Sequence, residues 1–224
     1  MEILFLGIDE AGRGPVIGPM VLAGCLADSK TLEELKKIGV KDSKQLTQRR
    51  REFLEKRIKE IVRKFEIVVL DPELIDTRSK KWGNLNELEA VMAAEIINKL
   101  NEGSRKIRVI LDCPSPSPDK WRNLLKNYIK NRSNLEIVCE HKADINHVIV
   151  SAASILAKCQ REREMEKIKK IYGEDVGSGY GSDPRTKKFL EENADSYSDK
   201  NFFRKTWASW KRASSNLKQK KLFE

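Results

Sequence analysis

Residues 3–15 read Ile3-Leu4-Phe5-Leu6-Gly7-Ile8-Asp9-Glu10-Ala11-Gly12-Arg13-Gly14-Pro15. An apolar run of strand length, 2–8, leads straight into two acids and then into the turn-rich stretch from Gly12 to Pro19. A second apolar run, 19–27, follows at once. Two strand-like runs parted by glycine and proline predict an antiparallel, hairpin-like opening of the chain. Asp9 and Glu10 then stand at the end of a buried strand, whose position is set by everything packed behind it.

Working outward, further strands are expected at 65–70, 106–112 and 135–140. Thr31-x-x-Glu34 has the spacing of a capping box and predicts a short helix. Leu54, Ile58, Ile61 and Phe65 recur at helical spacing across 47–64. Asn84-x-x-Glu87 predicts a capped helix to Leu100, ended by Asn101-Glu102-Gly103. Proline and serine at 114–118 lead into a helix over 118–131. A long helix is expected over 147–171, with Val148, Ala152, Ile155, Cys159 and Ile168 as its core stripe. Gly177-Ser178-Gly179-Tyr180-Gly181-Ser182 is a loop, and Asp183-Pro184 reads as N-cap and first residue of the next helix. Residues 200–214 read as a final basic and aromatic helix carrying Phe202, Phe203, Trp207 and Trp210. The pattern is that of an α/β fold, a mixed five-stranded sheet flanked by helices. The expected domains are 1–177, carrying the chemistry, and a small helical C-terminal region, 178–224.

The 224 residues are enough for one sizeable core or one domain with an appendage. Lys and Arg number 44 against 34 Asp and Glu, a net charge of +10, which suits a polyanionic partner and equally a solvated, heat-adapted surface. No apolar run approaches the roughly 20 residues of a membrane span, and the acidic start lacks the basic n-region of a signal peptide, so a cytoplasmic protein is expected. Cys25, Cys113, Cys139 and Cys159 show no C-x-x-C spacing and read as buried thiols in a reducing compartment.

The candidate chemistry lies in carboxylates. Asp112 ends the strand 106–112, and Asp144 lies just beyond the strand 135–140. In open α/β sheets ligands gather at strand ends, where such carboxylates can converge. Clustered carboxylates call for a cation, and two divalent ions about 3.5–4 Å apart can clamp an in-line phosphoryl displacement. For Asp144 alone a helix cap is the competing reading. On the long helix, Ser151, Ser154, Lys158 and Arg161 share one polar stripe, which suits either a phosphate backbone or solvent.

Gly7 to Pro15, Asp42-Ser43-Lys44, Leu111-Asp112, Lys142-Ala143-Asp144 with Val150 to Lys158, and Gly177-Ser178-Gly179-Tyr180 with Ser182-Asp183-Pro184 occur in the order found in ribonuclease H of type 2. The chain resembles that family, ribonuclease HII, over residues 3 to 190, and its single-chain form with a helical tail resembles the archaeal branch. The resemblance implies a ribonuclease H-like fold. It implies catalytic and metal-binding roles for Asp9, Glu10, Asp112 and Asp144 with Mg²⁺ or Mn²⁺ at a two-metal site. It implies that Gly12-Arg13-Gly14 lines the ribose through its main chain, which a missing Cβ permits. It implies that Tyr180 packs on the sugar beside the scissile phosphate, and that Ser43 and Lys44 lie near phosphates. Ser151, Ser154 and Lys158 complete the expected substrate-binding set.

The implied substrates are RNA–DNA hybrids and duplex DNA with embedded ribonucleotides, cut 5′ of the ribonucleotide to leave a 3′-hydroxyl and a 5′-phosphate. The implied setting is replication and ribonucleotide excision repair, by a monomer without membrane partners. Gly181 stands where the family commonly has proline, so a looser Tyr180 loop is expected, and Glu162 stands where the family often has Asp. Arg204, Lys205, Lys211 and Arg212 are expected to grip duplex backbone from the final helix. Gln219 to Glu224 resembles a degenerate sliding-clamp peptide without the usual aromatic spacing, and reads as a frayed terminus. A junction resolvase of the same fold and a catalytically silent nucleic-acid-binding protein remain competing readings. The silent binder would gain nothing from four carboxylates facing phosphates.

Overall fold

The computed structural model describes residues 3–41, 46–82 and 84–223, and of residues 79–82 and 216–223 the backbone alone. Five strands form one sheet: β1 (Leu4–Ala11), β2 (Met20–Ala27), β3 (Lys64–Leu70), β4 (Ile107–Asp112) and β5 (Leu135–Glu140). Their order is β3-β2-β1-β4-β5. β1 pairs antiparallel with β2, while β1 with β4 and β4 with β5 pair parallel. The sheet is therefore mixed, as the strand pattern predicts. Because β1 and β4 are parallel neighbours, their C-terminal ends, with Asp9-Glu10 and Asp112, emerge on the same edge.

The first helices are α1 (Ser29–Lys37), α2 (Gln48–Ile61), α3 (Pro72–Trp82), α4 (Leu85–Leu100) and α5 (Pro118–Lys126). They are followed by α6 (Ala143–Asn146), α7 (Val148–Tyr172), α8 (Pro184–Asn193) and α9 (Ala208–Phe223). α1 starts earlier than Thr31-x-x-Glu34 implies: Asp28 is the N-cap, its carboxylate accepting from Thr31 N at 2.8 Å. Asn84 caps α4 as expected, accepting from Glu87 N at 2.9 Å. Phe65 continues the helical spacing of α2 only in sequence, since it already lies in β3. The residues that read as one helix over 200–214 divide: Phe202 and Phe203 are buried outside any helix, Ile17 and Phe203 form a β-bridge, and α9 begins at Ala208. α9 continues to Phe223, where a frayed end is expected from sequence.

The chain divides into two compact units. Unit 1 comprises Met1–Ala11, Val21–Val68 and Trp82–Gln160, and unit 2 comprises Gly12–Met20, Val69–Lys81 and Arg161–Glu224. Each unit is thus built from three chain segments, where the sequence reading draws one boundary at 177/178.

In unit 1 both faces of the sheet are covered by helices. A Cβ built on Gly24 in β2 would meet Ile96 Cγ2 of α4 at 2.4 Å and lies 3.5 Å from Ile8. One built on Gly7 in β1 would meet the Ile149 carbonyl carbon of α7 at 2.4 Å. Alternation along β1 therefore sets Ile8 toward α4 and Gly7 toward α7. Asp9, two residues from Gly7, shares the α7 face.

In unit 2 the core is aromatic: Phe203 lies between Phe202 and Trp210, tilted against each, with ring centroids 4.0 and 4.5 Å apart. Val16, Ile17 and Phe189 pack into the same cluster. Phe202, Phe203 and Trp210 are enclosed and present no ring face to solvent.

Gly7→Ala should destabilise the protein by about 1–3 kcal/mol or more, because the added methyl meets main chain, which cannot rotate away. A lowered urea midpoint with an unchanged slope is the expected result.

Candidate active site

Asp9, Glu10 and Asp112 line one small pocket at the ends of β1 and β4, closed by Leu22, Leu111 and Trp121. Asp9 is buried, 6% exposed, and two donors hold it: Glu10 N gives its Oδ1 a 2.8 Å hydrogen bond, and the Ser154 side chain hydrogen-bonds to its carboxylate. Burial raises the Asp9 carboxyl well above the usual carboxylate range, and the charges of Glu10 and Asp112 push it the same way. Asp112 Oδ1 accepts from Ala143 N at 3.0 Å, which ties β4 to the start of α6.

Asp144 is buried as well, and its carbonyl accepts from Ser151 Oγ at 2.5 Å. It does not line the pocket of the other three. The chain reaches it through Lys142, the one non-glycine among the described residues with a left-handed backbone, φ 60°. That conformation is costly for a residue with a Cβ. It turns the chain sharply after β5 and delivers Ala143 to Asp112.

Ser151 and Ser154 are 2% and 0% exposed. The stripe that suits a phosphate backbone in sequence is, at these two positions, turned inward: one serine holds Asp9 and the other holds the main chain at Asp144. Lys158, a turn further along α7, is half-buried. Glu89 of α4 escaped the sequence reading. It is 2% exposed and lines the same pocket as Asp9, Glu10 and Asp112. Its only signal is a charge amid the apolar run Leu88, Ala90, Met92 and Ala93. Ser43 and Lys44 lie outside the described residues.

The donor set is all oxygen, enclosed and mutually repelling, which suits a hard divalent cation. Among the described residues no three His, Cys, Asp or Glu side chains meet in the geometry of a metal cage. Donor chemistry and burial, rather than cage geometry, make Asp9, Glu10, Asp112 and Asp144 the residues that could hold one.

Unit 2 brings Gly12-Arg13-Gly14 and Tyr180 together. A Cβ on Gly14 would lie 3.6 Å from Tyr180 Cε1. Gly12 has φ +78°, and its Cβ would overlap the Arg161 side chain at 2.3 Å, so glycine is required there twice over. Arg161 is not a solvated residue at the end of a stripe: its Nε is buried without a hydrogen-bond partner, Nη2 donates to Ser178 O at 3.2 Å, and its guanidinium sits 5.5 Å from the Tyr180 ring centre. Tyr180 itself is 42% exposed. Its loop is pinned at the base by Asp183, which accepts from Ser178 N at 2.7 Å and caps α8 through Arg185 N at 3.0 Å. Gly179 O accepts from both Val16 N, at 2.8 Å, and Ile17 N, at 3.1 Å. A Cβ on Gly181 would lie 3.1 Å from Ser209 Cβ, so α9 already crowds the position where the family has proline.

Arg204 corrects a sequence expectation. It is fully buried, so it does not grip duplex backbone, whereas Lys211 and Arg212 of α9 are exposed.

Hydrogen bonds from Ser178 hold the Asp183 carboxyl down to about 2. A carboxyl depressed in the fold stabilises above its ordinary pKa and ceases to do so as pH falls through the folded value. Asp183→Ala should therefore cost about 1 kcal/mol at neutral pH, as loss of an N-cap does. The difference in melting temperature from wild type should shrink only between about pH 4 and pH 2.

The ribonuclease HII family model matches residues 6–210. Ribonuclease HII of Pyrococcus furiosus is 44% identical over 219 residues, covering 96% of this chain and 93% of that protein. Ribonuclease HII of Methanocaldococcus jannaschii is 40% identical over 230 residues, covering 98% and 99%. The crystal structure of ribonuclease H2 from Pyrococcus horikoshii matches with a TM-score of 0.86 at 41% identity, over 96% of this chain and 99% of that one. The ribonuclease HII in a PCNA complex from Archaeoglobus fulgidus matches with a TM-score of 0.80 at 39% identity, over 93% and 94%. A ribonuclease HIII solved with Mn²⁺ shares the fold, with a TM-score of 0.80 at 22% identity, over 97% of this chain and 71% of that one.

Proposed function

The chain belongs to the ribonuclease HII family and is a ribonuclease H, a phosphodiester hydrolase; on that premise we propose that it cuts RNA–DNA hybrids and incises duplex DNA 5′ of single embedded ribonucleotides. The products are a 3′-hydroxyl and a 5′-phosphate. The observation that carries the reading is the gathering of Asp9, Glu10 and Asp112 in one pocket at the ends of two adjacent parallel strands.

These three carboxylates, with Asp144, are the ligands we assign to two divalent cations, Mg²⁺ or Mn²⁺. Bound there, such ions supply the acidity that generates hydroxide from water near neutral pH and offset charge on the leaving oxygen. The protein's own part is to hold the ligands still. Ser154 and Glu10 N–H orient Asp9, and Ala143 N–H orients Asp112. The main chain of Gly12-Arg13-Gly14 meets the ribose, where a 2′-hydroxyl tells RNA from DNA. Tyr180, exposed and backed by Arg161, offers its ring to the adjoining sugar. We assign Ser43, Lys44 and Lys158 to the substrate's phosphates, and the exposed Lys211 and Arg212 add charge for the duplex backbone.

No helix among the described residues is long and apolar enough to cross a membrane. We place the protein in the cytoplasm as a monomer serving replication and ribonucleotide excision repair. Because the Archaeoglobus relative is solved with PCNA, a sliding clamp is proposed as a partner, with Gln219 to Glu224 as the segment to delete in testing it.

Single-turnover cleavage of a duplex with one ribonucleotide tests the reading. Asp112→Asn and Asp9→Asn should each lower the rate on the order of a thousandfold or more with Mg²⁺. Substrate affinity should hold or rise, and Asp9→Asn should leave the metal-free melting temperature level or higher, since a buried and repelled charge has gone. Near-normal cleavage by either variant would return the protein to the class of silent binders.

Tyr180→Ala should slow cutting at an isolated ribonucleotide more than cutting within a long hybrid. Equal losses on the two substrates would rule out a junction-sensing role.

A further inference from the structure

The turn Gly12-Arg13-Gly14 has its carbonyls drawn into one C-terminal element. Arg204 Nη2 donates to Gly12 O at 2.6 Å and Arg204 Nη1 to Arg13 O at 2.8 Å. Trp207 Nε1 donates to Gly14 O at 3.1 Å. The same guanidinium closes the far end of the loop, with Nε 3.0 Å and Nη2 2.9 Å from Gly18 O. Its own backbone is locked to the loop, Arg204 N donating to Val16 O at 2.8 Å, and its head lies 5.0 Å from the Trp207 ring centre.

Burying a guanidinium to 0% exposure is costly unless its donors are satisfied, and here they are satisfied by the turn's own carbonyls. Every peptide here is trans, and a planar trans peptide points its N–H opposite to its C=O. Fixing the Gly12 and Arg13 carbonyls on Arg204 therefore aims the N–H groups of Arg13 and Gly14 away from it. Gly14 is followed by Pro15, which has no N–H, so the third carbonyl can be given to Trp207 with no donor to orient. Only a planar fork of several donors can hold carbonyls at both ends of the loop at once; an ammonium offers a single point.

We propose that Arg204, assisted by Trp207, is the positioning residue that sets the peptide planes of the Gly12-Arg13-Gly14 turn and so governs discrimination of ribose from deoxyribose. This rests on the reading above that the turn meets the ribose. Neither side chain is placed against substrate.

The test uses Arg204→Lys, which keeps the charge, and Trp207→Phe, which keeps the ring and removes one donor. For each, kcat and KM are measured on a duplex with one ribonucleotide, with affinities without divalent cation for that duplex and its all-DNA counterpart. Arg204→Lys should lower kcat/KM about tenfold or more and Trp207→Phe by about threefold, as lost hydrogen bonds of ordinary strength predict. Preference for the ribonucleotide duplex should fall in parallel, while all-DNA affinity stays within about twofold.

A merely structural role would lower both affinities together and leave their ratio unchanged, and that result overturns the proposal, as does a wild-type preference in both variants. If Arg204→Lys fails to fold, Trp207→Phe decides by the same ratio. A wild type that cuts and prefers the ribonucleotide duplex, with variants that do likewise, defeats this proposal alone. A wild type that neither cuts nor prefers it defeats the functional reading as well.

Discussion

The close approach of α7 to β1 at Gly7 is the contact on which the placing of Asp9 and Asp144 depends. With no side chain at Gly7, the main chain of α7 at Ile149 and Val150 lies directly against the strand. Strand alternation then sets Asp9 on the face that α7 covers, and one helical turn beyond Val150 brings Ser154 to its carboxylate. Ser151, at the foot of the same helix, reaches back to the Asp144 carbonyl. A larger residue at Gly7 would lift the helix and withdraw both serines. The site's precision therefore comes from backbone packing below it.

Much of this was legible in the sequence, and the reasons are specific. The strands of the sheet alternate or run apolar between glycine, proline and asparagine breaks, so their number and place could be read. Asp9, Glu10 and Asp112 each follow a buried strand without an intervening turn, which fixes where their carboxylates emerge. The parallel pairing of β1 with β4, which brings them together, could not be read from either strand alone. α3 (Pro72–Trp82) was missed because Pro72-Glu73-Leu74-Ile75-Asp76 has too short a periodic stretch to stand out, and its Asp76 works at a distance, accepting from Lys205 N at 2.6 Å. Residues 200–207 read as helix because apolar and basic residues alternate there at roughly helical spacing. Tertiary pairing with Val16 and Ile17 overrides that preference.

Serines and arginines were the residues most easily misjudged. A serine on a helix with lysine a turn away looks solvated, yet Ser151 and Ser154 satisfy buried acceptors. Arg204, Lys205, Lys211 and Arg212 are four cations in nine residues, and sequence cannot say which is enclosed. What distinguishes Arg204 is the neighbouring Phe202-Phe203, whose burial draws the next residue inward. Some of the acid is paired with lysine near the surface, as in Lys36–Glu33 and Lys167–Glu164. Such pairs contribute little to stability.

The two groups of functional residues meet opposite electrostatic demands, and the chain answers each locally. The carboxylates of Asp9, Glu10 and Asp112 crowd negative charge into one pocket, which with burial raises the Asp9 carboxyl. Donors supplied by Ser154, by Glu10 N–H and by Ala143 N–H offset part of that repulsion without neutralising it, which keeps the carboxylates of Asp9 and Asp112 oriented. The glycine turn has the reverse character: carbonyl oxygens of three consecutive residues, Gly12, Arg13 and Gly14, gather partial negative charge with no carboxylate among them. Arg204 and Trp207 absorb those oxygens from behind. In both places a polar group is held in one orientation by donors fixed from behind it, Ser154 for the Asp9 carboxylate and Arg204 for the turn's carbonyls.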